Sequence, residues 1–275
     1  MRWIAVAGMV GAALWLAAQG SAGSQEIKGS DLTPSAENMA RTWNGASLVL
    51  PAALTGGLLW QGPLRDAPAV SGRSPVVLFM HGSSGLAPFV TEYQRWLADD
   101  LGLPSIAPDS MAIPDRLTYT SPVATDLYEK VHTLRMGELE NALAGAKALP
   151  WVDPAKIIIV GTSEGAVPVA RLANPLPVAR VIYSWSCEAN YFVDAPKTAI
   201  PQETPVLSMI ATRDPYFSGE NPWNRPYAVR GDCGNALKSH QDAMIVTLAS
   251  NKHTILNTPQ AHDTTAAFLK RVLAR

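Results

Sequence analysis

The amino-acid sequence predicts an α/β protein, in which helices cover both faces of a mostly parallel, twisted sheet in a single domain. Short apolar runs alternate along the chain with segments of helical spacing, and this alternation is typical of parallel sheets whose connections are helices. One of these runs, at 156–160, leads directly into the sequence GTSEG at 161–165 and then into a second helical segment. The chain has 275 residues, of which 47% are hydrophobic, and this is enough material for one large core.

The predicted elements follow one another in a regular order. Two short strands at 47–50 and 56–60 are expected to pair antiparallel at one edge of the sheet, since proline and glycine separate them. Continuous apolar runs predict buried strands at 75–80, 104–107, 156–160, 180–185, 205–211 and 243–249. Helical spacing predicts helices at 89–101, 126–149, 166–172 and 263–273, the last one capped by Asp263.

The first residues have the pattern of a secretory signal. A positive charge at Arg2 precedes an almost wholly apolar run, 3–18, and then small residues. We expect cleavage after Ala22, with Gly20 at the −3 position; cleavage after Ala18 also fits. An uncleaved anchor is the alternative, but the run is short for a full span. The expected division is a signal peptide at 1–22, an N-terminal extension at 23–46 and one domain at 47–275, in a secreted or periplasmic protein without membrane association after cleavage.

The charge balance argues against some classes of partner. The formal net charge is −1 at pH 7 and the chain has no basic block, so binding to nucleic acid or to an anionic membrane surface is not expected. Cys187 and Cys233 are the only cysteines, and no histidine pair at ligand spacing accompanies them, so neither a metal site nor a cofactor is predicted. In an oxidising compartment the two cysteines favour a disulfide, with two buried free thiols as the alternative.

The GTSEG segment has the form of a nucleophile elbow, a sharp turn that joins a buried strand to a helix. Such a turn presents its central residue, here Ser163, at its tip. The backbone two residues before and two residues after the serine comes so close that side chains do not fit there, and Gly161 and Gly165 occupy those positions. The pattern predicts an outward-pointing, nucleophilic serine; a glycine turn with an incidental serine is the alternative.

Five polar residues directly follow predicted strands. They are His81, Asp109, Ser163, Asp214 and His253. Because the carboxyl ends of parallel strands meet at one edge of a sheet, and ligands bind beyond that edge, we expect these side chains to lie near one another. The sequence therefore predicts the active site at this end of the sheet.

A serine hydroxyl needs a base within hydrogen-bond reach, and the base needs a third group to orient it. We predict that His253 is the base, since it follows the last strand, and that Asp214 is the acid, since it follows the preceding strand. His262 is the rival base. A turn-forming Asp-Pro step is the other interpretation of Asp214.

The sequence His81-Gly82-Ser83-Ser84-Gly85 predicts the second half of the site. Acyl transfer needs two preset backbone N–H groups that stabilise the negative charge developing on the attacked oxygen. We expect one from Glu164, the residue after the nucleophile, and the other from Ser83. The glycines of this loop let the backbone approach closely, and its histidine is expected to hold the loop rather than to move protons.

With these motifs the chain resembles the α/β-hydrolases and, within that fold, the dienelactone hydrolase-like group, over roughly 47–275. The segments 131–139 and 148–153 also resemble the helix and turn before the elbow in that group. The resemblance implies a triad of Ser163, Asp214 and His253, because nucleophile, acid and histidine follow one another in the order that this fold uses. Dienelactone hydrolases, however, use a cysteine nucleophile and are cytoplasmic. The resemblance therefore supports the fold and the triad, but not dienelactone as the substrate.

Together these features predict a serine hydrolase that cleaves a small-molecule ester through an acyl-enzyme on Ser163. An acyltransferase or an amide-cleaving peptidase would use the same triad, and an exported binding module with a decayed site is the non-enzymatic alternative. The sequence leaves the acyl-chain preference and the oligomeric state open.

Other residues near the expected site have two interpretations. Aromatic residues of the neighbouring loops either line an acyl pocket or pack beneath the loops: Trp185, Tyr216, Phe217, Trp223 and Tyr227. Asp109 and Arg135 either contact the substrate or each other, or have purely structural roles.

Overall fold

The computed structural model of the protein describes residues 26–274, so the predicted signal peptide and its cleavage site lie outside the described residues. The strands are β1 (Ile27–Lys28), β2 (Ser47–Leu50), β3 (Trp60–Pro63), β4 (Ser74–Met80), β5 (Ser105–Ala107), β6 (Thr118–Tyr119), β7 (Val152–Thr162), β8 (Ala179–Tyr183), β9 (Val206–Ala211) and β10 (Ala243–Leu248). The helices are α1 (Ala36–Asn44), α2 (Ala52–Thr55), α3 (Pro88–Leu101), α4 (Thr125–Ala148), α5 (Ala166–Arg171) and α6 (Pro259–Leu273). No helix within 26–274 is long and apolar enough to cross a membrane.

The main sheet has eight strands in the order β10-β9-β8-β7-β4-β5-β2-β3. The six strands from β10 to β5 run parallel, while β2 pairs antiparallel with both β5 and β3. The predicted, mostly parallel sheet with an antiparallel edge pair is therefore confirmed. Because the parallel strands all end at the same edge, the residues that follow them converge there.

Alternation along the central strands divides the hydrophobic core between the two faces of the sheet. Val76 and Leu78 of β4 belong to the layer that α4 and α5 cover. Val77 and Phe79, one position along in each case, belong to the layer that α3 and α6 cover. Successive side chains of a strand point to opposite faces, so a strand between two helical layers must be apolar at every position. This explains the unbroken apolar runs of the sequence.

Two predicted elements are placed differently in the structure. The predicted strand at 56–60 is wrong for most of its length: the chain turns after α2, and strand β3 begins only at Trp60. The closing helix begins at Pro259 rather than after Asp263, so Asp263 is not its cap. The Thr258 hydroxyl accepts a hydrogen bond from the Ala261 N–H at 3.3 Å instead, and proline suits the first helical position because its missing N–H is not needed there.

Within the predicted N-terminal extension, the described residues 26–46 include helix α1, which packs on the rest of the fold. Helix α1 begins after Ser35, whose hydroxyl accepts a hydrogen bond from the Asn38 N–H at 3.2 Å. Met39 packs with Ile113 and Leu134. The ring of Trp43 lies so close to α4 that a Cβ on Gly145 would be 2.6 Å from the Trp43 Cε2 atom. From the sequence we expected only a polar segment here and did not predict α1. Few of its side chains are apolar, and these few face inward.

Candidate active site

The turn from β7 into α5 has the geometry of a nucleophile elbow. Ser163 has φ = 53°, a left-handed conformation that is rare for residues other than glycine. A Cβ on Gly161 would overlap the carbonyl of Gly165. A Cβ on Gly165 would overlap the carbonyls of Met80 and His81 at the end of the neighbouring strand β4. Both glycines are therefore required, because neighbouring backbone comes too close for a side chain. At Gly165 this backbone belongs to a second strand, which the sequence pattern does not reveal.

Asp214 and His253 contact each other across the ends of β9 and β10. The His253 Nδ1 group donates a hydrogen bond to Asp214 Oδ2 at 2.8 Å. The other carboxylate oxygen of Asp214 accepts the backbone N–H groups of Tyr216 at 2.8 Å and Phe217 at 3.1 Å. The Asp214 side chain is fully buried. The sequence allowed two interpretations of Asp214, as a turn-forming residue and as the partner of the histidine. Its carboxylate fits both, since one oxygen shapes the turn and the other orients the imidazole.

The backbone and ring of His253 are held from two further sides. The Ser184 hydroxyl, just after β8, donates a hydrogen bond to the His253 carbonyl at 2.5 Å. The ring of Tyr216 meets the imidazole edge-on, with the ring centres 4.6 Å apart. Ser163 and His253 line the same cavity. With Nδ1 engaged by Asp214, the remaining ring nitrogen of His253 is available as a proton acceptor.

The loop after β4 lies directly against the elbow. A Cβ on Gly82 would be 3.3 Å from the Cβ of Ser163 and 3.9 Å from its Oγ. Ser83 lines the same cavity. A Cβ at this position would be in tight contact with the serine, so glycine eases the close approach of the loop. A backbone close to the nucleophile is the arrangement that oxyanion binding requires.

His81 holds this loop from inside the protein. It is fully buried; its Nδ1 donates to the Gly82 carbonyl at 2.7 Å, and its Nε2 accepts the Ser110 N–H at 3.0 Å. Burial, reinforced by the positive charge of Arg135, lowers the pKa of His81 to about 3. The ring is therefore neutral with both nitrogens occupied, and it is not a proton-transfer group at neutral pH.

A buried layer of ion pairs lies beneath the elbow and this loop. Glu164, next to the nucleophile, accepts hydrogen bonds from Arg116 at 2.7 Å and from the Tyr119 hydroxyl at 2.7 Å. Arg135 of α4 donates to Glu138 at 2.5 Å and to the His81 carbonyl at 2.7 Å. The Arg135 Nε atom also lies 3.6 Å from the Glu164 carboxylate.

Ser110 closes this layer into one network. Its hydroxyl donates to Glu138 at 2.6 Å and accepts from Arg116 Nε at 2.7 Å. Burial raises the pKa of Glu164, but Arg116 and Arg135, with the Tyr119 hydroxyl, outweigh burial and bring that pKa to about 2. The Glu164 carboxylate is therefore ionised and engaged away from the reaction, which leaves its backbone N–H as the part of the residue next to Ser163.

The cavity above Ser163 has a volume of about 430 Å³. It is lined by Gly82, Ser83, Ser84, Phe89, Tyr119, Thr120, Ser121, Thr162, Ser163, Tyr191, Phe192, Tyr216, Phe217, His253 and Thr254. Two of its walls come from the loops 184–205 and 212–242. The predicted disulfide between Cys187 and Cys233 is present, and it joins these two loops.

Several residues considered in the sequence lie elsewhere. His262 stacks on Trp96 of α3, with the ring centres 4.0 Å apart, and does not line the cavity. Asp109 accepts the Met111 N–H at 2.9 Å in a turn, and Arg135 belongs to the buried network. Of the loop aromatics, Tyr216 and Phe217 line the cavity, whereas the remaining three pack elsewhere: Trp185, Trp223 and Tyr227.

Two segments contribute five cavity residues that carry no signal that we found in the sequence. Tyr119, Thr120 and Ser121 come from β6 and the residues directly after it, and Tyr191 and Phe192 come from the loop after β8. Tyr191 and Phe192 are adjacent aromatic residues, and this pair is the one signal that could have indicated them. Whether their side chains face the cavity, however, depends on the tertiary path of the loop. Within 26–274 no group of three or more His, Cys, Asp or Glu side chains is arranged to hold a metal ion.

The architecture of the chain is similar to that of several solved structures. No protein-family model matches the chain, and no curated protein matches it. Solved structures do match over most of their length. The Thermus thermophilus protein TT1662 has a TM-score of 0.54 at 17% identity, with 83% of this chain and 99% of that one covered. The fold is that of the α/β-hydrolases.

Two further α/β-hydrolase structures are similar over the same region. Esterase PE8 has a TM-score of 0.51 at 20% identity, with 82% of this chain and 97% of that one covered. P91, a dienelactone hydrolase-like promiscuous phosphotriesterase from metagenomic libraries, has a TM-score of 0.52 at 19% identity, with 82% and 98% covered. At these identities the likeness establishes the fold, and the chemistry depends on this chain's own residues.

His132, a second buried histidine, lies beneath the cavity wall and is expected to make the stability of the fold depend on pH. His132 of α4 hydrogen-bonds the Phe192 carbonyl at 3.0 Å, and burial lowers its pKa from 6.5 to about 4. Below pH 6.5 the unfolded chain therefore binds a proton that the folded chain does not. We expect the free energy of unfolding, measured with urea, to fall by about 1.4 kcal/mol per pH unit through this residue between pH 6.5 and 4.

The matched variant is His132→Gln, whose amide retains a donor for the Phe192 carbonyl but does not titrate. The unfolding free energy of the wild type minus that of His132→Gln should decrease as the pH falls through this window, because only the wild type has the titrating histidine. Above this window the difference should be constant. A difference that does not change with pH would contradict the assignment.

Proposed function

We propose that the protein is a serine hydrolase that cleaves carboxylic esters through an acyl-enzyme on Ser163. The observation that carries the proposal is the buried 2.8 Å contact between Asp214 and His253, at one cavity with a serine in a strained, left-handed elbow. A nucleophile, a base and an orienting acid at one cavity are what acyl transfer needs. The name of the similar esterase PE8 agrees with this chemistry.

In the proposed reaction His253 takes the proton of the Ser163 hydroxyl while its oxygen attacks the ester carbonyl. The negative charge that develops on the carbonyl oxygen is stabilised by the backbone N–H groups of Ser83 and Glu164. Asp214 keeps the imidazole oriented and stabilises its positive charge. The protonated His253 then donates to the leaving alcohol, and a water molecule, activated by the same histidine, releases the acid from Ser163.

Two substitutions test this proposal with p-nitrophenyl butyrate. Ser163→Ala removes the nucleophile and should lower kcat/KM by at least about 10⁴-fold, while Asp214→Asn should lower kcat by about 10⁴-fold because the imidazole loses its orienting charge. Asp232→Asn is the control, since Asp232 accepts the Gly234 N–H at 2.7 Å in a turn and does not line the cavity. Its rate should equal that of the wild type.

Wild-type activity in Ser163→Ala would contradict the proposal. Acyl transfer to an added alcohol or amine without net hydrolysis would instead identify an acyltransferase. Absence of labelling of Ser163 by a fluorophosphonate in the folded protein would identify a binding module.

We also propose that the protein is exported and that residues 1–22 are removed as a signal peptide. The disulfide between Cys187 and Cys233 supports this proposal, because disulfides persist in oxidising compartments. The test is the N-terminal sequence of the protein recovered from the medium or periplasm of an expressing bacterium. It should begin at Gly23; full-length protein retained in the cytoplasmic or membrane fraction would contradict export.

A further inference from the structure

The cavity above Ser163 is lined without formal charge. Among the described residues that line it, none is Asp, Glu, Lys or Arg, and the lining consists mostly of hydroxyl groups and aromatic rings. Of the lining residues within 26–274, His253 is the only titratable one apart from tyrosines. A polar but uncharged lining satisfies hydrogen-bonding oxygens of a substrate, but it offers no counterion.

The charged groups of the buried network beneath the cavity wall are sealed off from this cavity. The Arg116 and Glu164 side chains are 2% and 0% exposed, and they are paired with each other at 2.7 Å. The Tyr119 hydroxyl, from the cavity wall, is itself committed to Glu164. Asp214 is buried directly behind His253. A carboxylate that entered the cavity would lose water, find no cation among the described residues that line it, and face the negative charge of Asp214. Each of these effects is unfavourable.

From this lining we propose that the site selects uncharged esters and rejects anionic ones. The inference rests on the proposed esterase activity and narrows its substrate class. The acyl and alcohol parts near the reacting carbonyl are uncharged, and any polar groups that they carry are bound by hydroxyl groups rather than by ion pairs.

Two esters of equal chain length test this selectivity. p-Nitrophenyl pentanoate and mono-p-nitrophenyl glutarate differ at the far end of the acyl chain, where the second carries a carboxylate. At pH 8 we expect kcat/KM for the glutarate to be at least about 30-fold lower, because its carboxylate is desolvated without a partner. Equal kcat/KM values for the two esters would overturn the inference.

A substitution at Thr120 tests whether an added positive charge weakens this preference. It lies on the cavity wall and is solvent-exposed, so a longer side chain has room. Thr120→Lys should raise kcat/KM for the glutarate relative to the pentanoate by about fivefold, and salt should weaken this gain because it screens the new charge. Thr120→Gln, of similar length without charge, should leave the ratio at its wild-type value. An equal change in both variants would show that size rather than charge controls selection.

The pentanoate reaction distinguishes failure of the proposed function from failure of the charge selectivity. If the wild type does not hydrolyse pentanoate in a Ser163-dependent manner, the proposed function fails. If it does so but hydrolyses glutarate equally well, only the charge selectivity fails.

A second, independent observation concerns residues 26–31, which we call the N-terminal strap. Its strand β1 pairs antiparallel with β6, and the Thr120 N–H donates to the Glu26 carbonyl at 2.9 Å. The Ser30 and Asp31 N–H groups both donate to the Asp115 carbonyl at 2.9 Å. The strap therefore holds both ends of the segment 115–120.

The segment under the strap forms a wall of the cavity. Tyr119 and Thr120 line the cavity, and the Tyr119 hydroxyl also binds the Glu164 carboxylate. The strap is closely fitted to this segment at Gly29, where a Cβ would be 2.5 Å from the Arg116 carbonyl oxygen and 2.6 Å from that of Asp115. The geometry points to the strap as a positioning element for substrate binding, with Gly29 as the residue on which its fit depends.

Gly29→Ala and Gly72→Ala form a matched pair. Both glycines have a left-handed backbone, with φ of 72° and 80°, so an alanine strains each alike. Only Gly29 meets other atoms, because a Cβ on Gly72 has nothing within 4 Å. In Gly29→Ala we expect KM for p-nitrophenyl butyrate to rise about tenfold with kcat within about twofold, since the wall binds substrate while the triad lies on other elements.

Gly72→Ala should keep wild-type KM and kcat. The Thr120 amide should also exchange its hydrogen faster in Gly29→Ala alone, a result that does not depend on activity. Unchanged KM in Gly29→Ala, or an equal rise in both variants, would overturn a positioning role for the strap. A wild type without esterase activity would leave the exchange experiment to decide whether the strap orders this wall.

Discussion

The carboxylate of Glu164 joins the separate parts of the candidate site. It immediately follows Ser163 in the chain, and it is held by Arg116 and Tyr119 from the segment after β5 and by Arg135 from α4. Taking such charges out of water is unfavourable unless each is paired and hydrogen-bonded. In the network two guanidinium groups pair with two carboxylates, and the hydroxyl groups of Ser110 and Tyr119 supply further hydrogen bonds.

This network ties the elbow to the loop that faces it. Arg135 donates to the carbonyl of His81, the residue that begins the glycine loop, and Ser110 donates to its ring. Removing one partner from such a buried pair typically costs about 3–5 kcal/mol, because the other charge is left alone. The distance between the Gly82 backbone and Ser163 is therefore maintained by ion pairs that do not themselves reach the cavity.

The cavity walls, by contrast, come from loops that the sheet does not hold. The disulfide joins the loop of Tyr191 to the loop that follows β9, and the N-terminal strap holds the segment of Tyr119. Irregular segments lose much conformational entropy on ordering, and cross-links outside the sheet offset part of this loss. The centre of the site is thus held by buried ion pairs, and its walls are held by separate cross-links.

The sequence by itself determined the class of fold, the elbow and the residues that follow the strands. These depend on local patterns: unbroken apolar runs for strands buried on both faces, and paired glycines where the backbone folds back on itself. The same patterns also indicated that Asp214 and His253 lie near each other, because parallel strands end at one edge. The number of cysteines and the predicted export signal favoured the disulfide over two free thiols.

Only the tertiary structure decided what surrounds those residues. The partners of Glu164 and the cavity residues Tyr119 and Tyr191 come from segments without regular periodicity, and α1 has too few apolar side chains to reveal its inward face. The contact of Gly165 with β4 likewise joins residues far apart in the chain. Local pattern determines which residues stand at the end of a strand, whereas the path of irregular segments is determined by long-range packing and by the pairing of buried charges.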